Sequence, residues 1–373
     1  MDSSFVQTAF PLIVVEGDAL ARGHAYGSQA GDRIARGVDI YRDAFEMVGI
    51  SWPQAMAYAN RFCDQVRAYD EEMFIEIKAI ADGADQPVEA IVALNARTEI
   101  IFWHDNTREG GPTRSIGLQE ECTSATVLPS ASADGHLLHG QNWDWNPRCV
   151  DTSVVLHIRR DDGPDILTFC EAGQLARHGM NEAGVALTVN GLQCDRDGGH
   201  IGAPSPLLRR RLLSSPTLAG ALDVVLNAKI SFSHSLTISH SGGSAVTLET
   251  TPERAYWLQP DRGVLVHANH FKSVVAQADV QDIGLLRCPE SLYRDQRTLD
   301  YFMAQLGGIT VESFKEAFAD RFGSPDAVLR TPKARSGGNL SGTVATLIMD
   351  TTDRRMWLAP SPYRAIEFTE YGF

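Results

Sequence analysis

The chain has 373 residues, 43% of them apolar and 21% charged, and a formal net charge of −14. That length buries a large core and points to two domains, or to one large domain with a substantial extra segment. The acidic balance argues against nucleic-acid binding, which needs a basic footprint, and the lack of any run of about 18 apolar residues argues against a membrane span.

The opening "MDSSFVQTAFPLIVVEGDA" has no basic start and no long apolar core, so no secretory leader is expected. The first third then reads as helical. Between Ser28 and Gly49, Ile34, Val38, Tyr41, Phe45 and Val48 recur at three- and four-residue spacing. "WPQAMAYANRFCDQVRAYDEEMFIEIKAIADGADQP" continues that period until Gly83 and Pro87 end it, and "VEAIVALNARTEIIF" predicts a further helix. Thr107 to Glu121 is glycine-rich and polar without period, which predicts an exposed loop or linker.

From Cys122 the period changes to that of strands. Three hairpins are predicted: "CTSATVLP" with "HLLHGQNW", "SVVLHIRR" with "DILTFCEA", and "QLARHGM" with "GVALTVNG". Helical sequence follows over Pro204 to Ala228, and the arginines of its "LRRRLL" read as a solvated face. The strands "HSLTISHS", "SAVTLETT", "RAYWLQP" and "GVLVHANH" come next. Helices near Glu290 to Leu306 and Val311 to Phe322 precede the final strands "TVATLIMD" and "RMWLAPS". This order predicts an α+β architecture with two antiparallel sheets between helix layers.

The cysteines Cys63, Cys122, Cys149, Cys170, Cys194 and Cys288 are irregularly spaced, and none forms a C-x-x-C pair. A reducing, cytoplasmic setting is expected, with most of them buried as small hydrophobes. Cys122 stands apart because it opens a hairpin whose return strand ends in "GQNWDW". A tight turn within Ser132 to Gly135 sets Cys122 opposite Trp145 or Pro147 and brings Asp144 back beside it.

A thiolate nucleophile needs a base, and a carboxylate alone would raise the thiol pKa. Thiol enzymes that use a histidine place the cysteine at a helix N-terminus, whereas "TSATVLP" reads as strand. The other source is the cysteine's own α-amine, freed by a cut at Glu121–Cys122. Such an amine has a pKa of about 7.7–8.0 and is tethered to its nucleophile. Asp144 would then orient the ammonium. The alternative is a structural cysteine at a strand end.

Taken together, "RGHAYGSQAG", "ALNARTEI", "CTSATV" with "GQNWDW", "GMNEAGVALTVNGL", "HANHF" and "CPESLYRDQR" resemble, in order, motifs of the isopenicillin-N acyltransferase family, the acyl-CoA:6-aminopenicillanic acid acyltransferases. These belong to the N-terminal nucleophile hydrolases. The resemblance implies a four-layer αββα sandwich with a helical N-terminal segment, made as an inactive precursor. Residues 1–121 would be the α fragment, and residues 122–373 the catalytic core, after autoproteolysis at Glu121–Cys122. Cys122 would be the nucleophile, Asp144 the active-site aspartate and Asn269 the oxyanion-hole asparagine. Asn190, Thr251 and Trp145 would line the substrate site, and Tyr26 would line its entrance or simply pack. Arg294, in the P-D/E-S-x-x-R position, is read as a structural ion pair.

Two positions depart from the penicillin enzyme. Glu121 stands where it has glycine, and Leu340 where it has an arginine. The resulting expectation is an amidohydrolase that cleaves a linear N-acyl amine through a thioester. Acyl-CoA-dependent N-acyl transfer is the alternative within enzymes, and an uncut binding protein is the alternative outside them. The expected partner is a small-molecule amide, and the expected form is a self-cleaved α/β heterodimer, alone or further assembled. No cofactor is expected. No metal is expected either, because His136 and His139, like His267 and His270, would point to opposite faces of a strand.

Overall fold

The computed structural model describes residues 9–107, 121–335 and 340–373, without the side chains of 105–107. Most of the loop expected before Glu121 lies outside these residues. The first third comprises β1 (Leu12–Val15), α1 (Ala19–Met47), α2 (Trp52–Tyr69), α3 (Glu71–Gly83), α4 (Val88–Asn95) and α5 (Arg97–Thr107). The helix expected from Ser28 begins at Ala19, where the Asp18 carboxylate accepts the Ala21 N–H at 2.8 Å. The long apolar run after Trp52 divides at Asp70, which ends α2 and caps α3 by accepting the Met73 N–H at 3.0 Å. Asp-Glu-Glu is a helix-start signal that the unbroken apolar period conceals.

Two glycines of the "RGHAYG" segment let α1 lie directly on α3. A Cβ at Gly23 would sit 2.4 Å from the Glu76 carbonyl oxygen, and one at Gly27 2.3 Å from that of Ile80. Any side chain there would force the helices apart.

The rest of the chain contains β2 (Thr123–Val127), β3 (Leu138–Trp145), β4 (Ser153–Ile158), β5 (Ile166–Glu171), β6 (His178–Asn181) and β7 (Val185–Gly191). Then come α6 (Ser205–Leu213), α7 (Leu218–Leu226), β8 (His234–His240), β9 (Ser244–Thr250), β10 (Ala255–Leu258) and β11 (Val264–His267). They are followed by α8 (Val274–Asp279), α9 (Ile283–Arg287), α10 (Ser291–Met303) and α11 (Val311–Phe318). The last strands are β12 (Lys333–Ala334), β13 (Leu340–Asp350), β14 (Arg355–Pro360) and β15 (Thr369–Gly372).

One sheet has the order β1-β4-β5-β6-β7-β8-β9-β10, and the other β11-β2-β3-β13-β14-β15 with β12 beside β13. All pairings are antiparallel except β1 with β4. The sheets meet face to face. His139 on β3 bonds Ser239 and Thr188 of the first sheet at 2.8 Å each, and Trp143 packs edge-on against Phe169. The N-terminal helices, α6 and α7 cover the first sheet, while α10 and α11 cover the second. This is the expected αββα sandwich.

The arginines of "LRRRLL" do not form a solvated face. Arg209 and Arg210 are buried, and Arg210 grips Glu76 of α3 through two bonds of 3.0 and 3.1 Å. The helical layer above α6 hides that side and supplies the compensating carboxylate. No helix among the described residues is long and apolar enough to cross a membrane.

The first hairpin has a different register from the one a tight turn predicts. Thr123 faces Asn142, and the Glu121 N–H reaches the Asp144 carbonyl at 3.4 Å, so Cys122 falls opposite Trp143 rather than Trp145 or Pro147. The connection is longer than a tight turn because it is tied down elsewhere. The Leu128 N–H donates to the Gly263 carbonyl at 2.8 Å and the Ala133 N–H to that of Ile309 at 2.9 Å.

Candidate active site

Strand alternation gives Glu121 and Thr123 the same face as Asn142 and Asp144, and gives Cys122 the opposite face with Trp143. Cys122 is fully buried, in the apolar cluster that holds Trp143, Trp145 and Phe169. The Asp144 side chain therefore lies on the face of the hairpin opposite the Cys122 thiol.

Arg294 of α10 enters at this point, fully buried. Its Nη1 donates to the Cys122 carbonyl at 2.8 Å and to Thr123 Oγ1 at 2.7 Å, and lies 3.4 Å from the Glu121 carbonyl oxygen. Its Nη2 donates to Asn269 Oδ1 at 3.0 Å. The ion pair expected of Arg294 is replaced by bonds to neutral oxygens around the Glu121–Cys122 peptide. Burial and the nearby Arg330 lower the pKa of this guanidinium.

Asp144 is fully buried. Thr343 donates to its Oδ1 at 2.6 Å, and Arg330 Nε stands 3.2 Å from its Oδ2, off the line of a good hydrogen bond. Burial raises its pKa to about 7, against the pull of Arg330 and Arg294. An acid whose pKa rises on folding gives stability that is present below its unfolded value and is lost as pH climbs through the folded value. In an uncut Cys122→Ala background, the chain should therefore lose melting temperature between about pH 4 and pH 7, and adding Asp144→Asn should flatten that slope. Equal slopes in the two proteins would show that Asp144 does not titrate there. In the otherwise native chain, Asp144→Asn should cut turnover by at least about tenfold.

Glu121 departs most from expectation. Instead of ending an exposed linker, it is 3% exposed. Its Oε2 lies 3.1 Å from Arg330 Nη1 and 2.5 Å from Arg335 Nη2, and accepts the Ser341 hydroxyl at 2.8 Å. Its Oε1 accepts the Cys288 thiol at 3.0 Å. Burial opposes ionisation, but the two arginines outweigh it and hold the carboxyl below its usual range. Arg330 also pairs with Glu290 at 2.8 Å and Asp326 at 3.2 Å, so one guanidinium binds four carboxylates. Nothing in the apolar periodicity marked Arg330 or Arg335. The only local signal was three basic residues, Arg330, Lys333 and Arg335, close together after α11.

The other candidates separate into two groups. Asn269 follows the end of β11, and its side chain donates to the Gly191 carbonyl at 2.9 Å while accepting from Arg294, which places it at the site. Asn190 ties the Cys122 carbonyl (3.4 Å) to those of His267 (2.8 Å) and Ala268 (2.9 Å), so it fastens the start of β2. The Thr251 hydroxyl serves its own turn, bonding Arg254 and Glu253. Tyr26 packs rather than lining an entrance: its hydroxyl donates to the Gln174 carbonyl at 3.3 Å and accepts the Gly173 N–H at 3.0 Å. The Trp145 indole donates to Tyr41 at 2.9 Å, with Arg97 stacked 5.1 Å above its ring.

Trp145 belongs instead to the joint that holds the N-terminal segment. Arg97 pairs with Glu171 at 2.7 Å, and the Asn95 side chain bonds the Gly173 carbonyl at 2.8 Å and the Leu175 N–H at 3.1 Å. Glu99 accepts the Ser205 N–H at 2.7 Å, and burial raises its pKa to about 7. The "LNARTE" motif thus clamps the helices onto the sheets.

The paired histidines are separated by their partners: His136 to Asp350, His139 to Ser239 and Thr188, His267 to Glu249, and His270 to Ser291. Ligand atoms of Glu121, Cys288 and Glu290 come within 4.8 Å of one another, but Arg330 and Arg335 already supply the cations there.

Two facing antiparallel sheets between helix layers, with a cysteine opening a strand of the second, define the N-terminal nucleophile hydrolase fold. The chain belongs to the acyl-coenzyme A:6-aminopenicillanic acid acyl-transferase family, whose model matches residues 131–361. It is similar to the acyl-coenzyme A:6-aminopenicillanic-acid-acyltransferase 40 kDa form of Emericella nidulans, with 25% identity over 345 residues, covering 92% of this chain and 90% of that one. In fold it is similar to a mutant of the conjugated bile acid hydrolase from Clostridium perfringens. That likeness has a TM-score of 0.50 and 14% identity, and covers 67% of this chain and 92% of that one. The chain is accordingly an enzyme of that acyltransferase family.

Proposed function

We propose that the chain matures by cutting itself at Glu121–Cys122 and then hydrolyses a linear N-acyl amine. The Cys122 sulfur attacks the Glu121 carbonyl carbon, the C–N bond breaks, and the thiol proton passes to the Cys122 nitrogen. Water hydrolyses the thioester, leaving the thiol beside a released α-amine. The observation that carries this reading is Arg294, whose charge lies 3.4 Å from the scissile carbonyl oxygen and 2.8 Å from the next one. A preorganised cation at a developing oxyanion strengthens as charge grows there. Asn269, braced by Arg294, is the second donor to the oxyanion.

In turnover the released amine is the base. Sulfur attacks the substrate carbonyl, and the amine of the substrate leaves with the proton held by the Cys122 ammonium. Asp144 steadies that ammonium. Water releases the acid product. Leu340 in place of the family arginine, and Glu121 in place of glycine, support a substrate other than a penicillin, and with it hydrolysis. The family match favours acyl transfer to an amine from the same thioester as the second reading. The cut chain stays together as a heterodimer, joined by the Arg97–Glu171 and Asn95 contacts. None of the six cysteines forms a disulfide, which supports a reducing, cytoplasmic setting.

Intact-mass analysis should find fragments 1–121 and 122–373, and a panel of N-acyl amines should release amine without acyl-CoA. CoA release that depends on added amine would replace hydrolysis by transfer. A chain that remains whole and silent on both assays would remove the enzymatic reading.

A further inference from the structure

Building on that self-cleavage, we infer that the cradle around Glu121, formed by Arg330, Arg335 and Ser341, becomes the acyl pocket of the cut enzyme and selects a dicarboxylic acyl group of glutarate length, glutaryl or α-glutamyl. The first acyl group that Cys122 carries is Glu121 itself. When the thiol takes the Glu121 carbonyl, the product is an α-glutamyl thioester whose side-chain carboxylate already lies in the cradle. The uncut chain therefore displays how an acyl group on this sulfur is held.

The cradle is specific for an anion at that reach. Arg330 Nη1 stands 3.1 Å and Arg335 Nη2 2.5 Å from one carboxylate oxygen, which also accepts the Ser341 hydroxyl at 2.8 Å. The other oxygen accepts the Cys288 thiol at 3.0 Å. Arg330 is 1% exposed on its side chain and Glu121 4%, so water solvates neither well. Once water has hydrolysed the thioester, Glu121 carries a second carboxylate at its new terminus and leaves the cradle, while the 1–121 fragment stays joined to the core through Arg97 and Asn95. Arg330 keeps Glu290, Asp326 and Asp144, but Arg335 and Ser341 lose their shortest partner. The Cys122 ammonium meanwhile adds a positive charge. A half-buried guanidinium that has lost its nearest carboxylate, beside a buried one, favours re-entry of an anion.

A substrate fills the same positions atom for atom. Its carbonyl carbon bonds to Cys122 sulfur, its C–N bond breaks, its amine leaves with the ammonium proton, and its distal carboxylate replaces that of Glu121. An acyl chain of the same length without the carboxylate leaves Arg335 and Ser341 without the oxygen that Glu121 gave them, a mismatch that polar sites discriminate strongly.

The test uses p-nitroanilides of glutaric acid, α-glutamic acid and pentanoic acid on the purified, cut protein, with rates normalised to the 122–373 fragment. The glutaryl or α-glutamyl anilide should exceed the pentanoyl anilide in kcat/KM by about 100-fold or more. Arg335→Met should lower that ratio by about tenfold or more, and Ser341→Ala should lower it to a smaller degree. The Ser341→Ala protein decides the matter if Arg335→Met stays uncut. A cut chain that turns over pentanoyl anilide as well as glutaryl anilide, or a ratio unchanged in both variants, overturns the inference and leaves the amidohydrolase reading standing. A cut chain silent on every anilide overturns both.

Discussion

Cys122→Ala is expected to give one unbroken chain with no turnover, folded as the wild type. Two losses come from one atom. In the proposed scheme the sulfur attacks the Glu121 carbonyl in maturation and the substrate carbonyl in turnover, and the amine that serves as base never appears if the first attack fails. Removing a nucleophile that works as one unit with its base should cost at least about 10⁴-fold in rate. The fold should persist, because the helices are joined to the sheets elsewhere, through Arg97, Asn95 and Glu99. The measurement is intact mass with an amide-release assay. A Cys122→Ala protein that still separates into 1–121 and 122–373 would move the nucleophile to another residue.

Arg330→Met is expected to destabilise the protein severely. Arg330 lies within 3.2 Å of carboxylate oxygens of Glu121, Asp144, Glu290 and Asp326, and its backbone N–H donates to Thr343 at 2.9 Å. Methionine matches much of the volume but leaves buried carboxylates short of a cation. Breaking a buried pair in this way costs about 3–5 kcal/mol, which lowers the melting temperature by roughly 4–6 °C for a chain of this length melting cooperatively. Arg335 and Lys333 remain nearby and limit the loss. The gap to wild type should narrow as pH falls, since protonation removes the uncompensated charges. Arg330→Lys should fall between the two, because one ammonium lacks the planar fork that reaches several carboxylates at once. A melting temperature within about 1 °C of wild type would show that the cluster contributes nothing to stability.

Local patterns carried much of the fold. The short apolar runs in "SVVLHI" and "ILTFCE" mark β4 and β5, and "VALTVNG" marks β7, because a strand covered on both faces buries nearly every residue. The change from helical to strand period at Cys122 was equally plain. Helix breaks at Asp70 and Ala96 were hidden, since the apolar spacing runs on across them. The hairpin register was misjudged because the loop's anchors, Gly263 and Ile309, lie far along the chain.

The sequence by itself determined the family motifs, the αββα order and the return of Asp144 to the start of β2, all of which rest on residues close together or on strands joined by one turn. Only the tertiary structure decided the environment of Glu121 and Arg294. Arg330 and Arg335 come from the segment after α11, Ser341 from β13, and Arg294 from α10. Charge pairing over such separations leaves no period to read. It depends on which buried side chains share a site without water, and that is settled when the sheets and helices close over it.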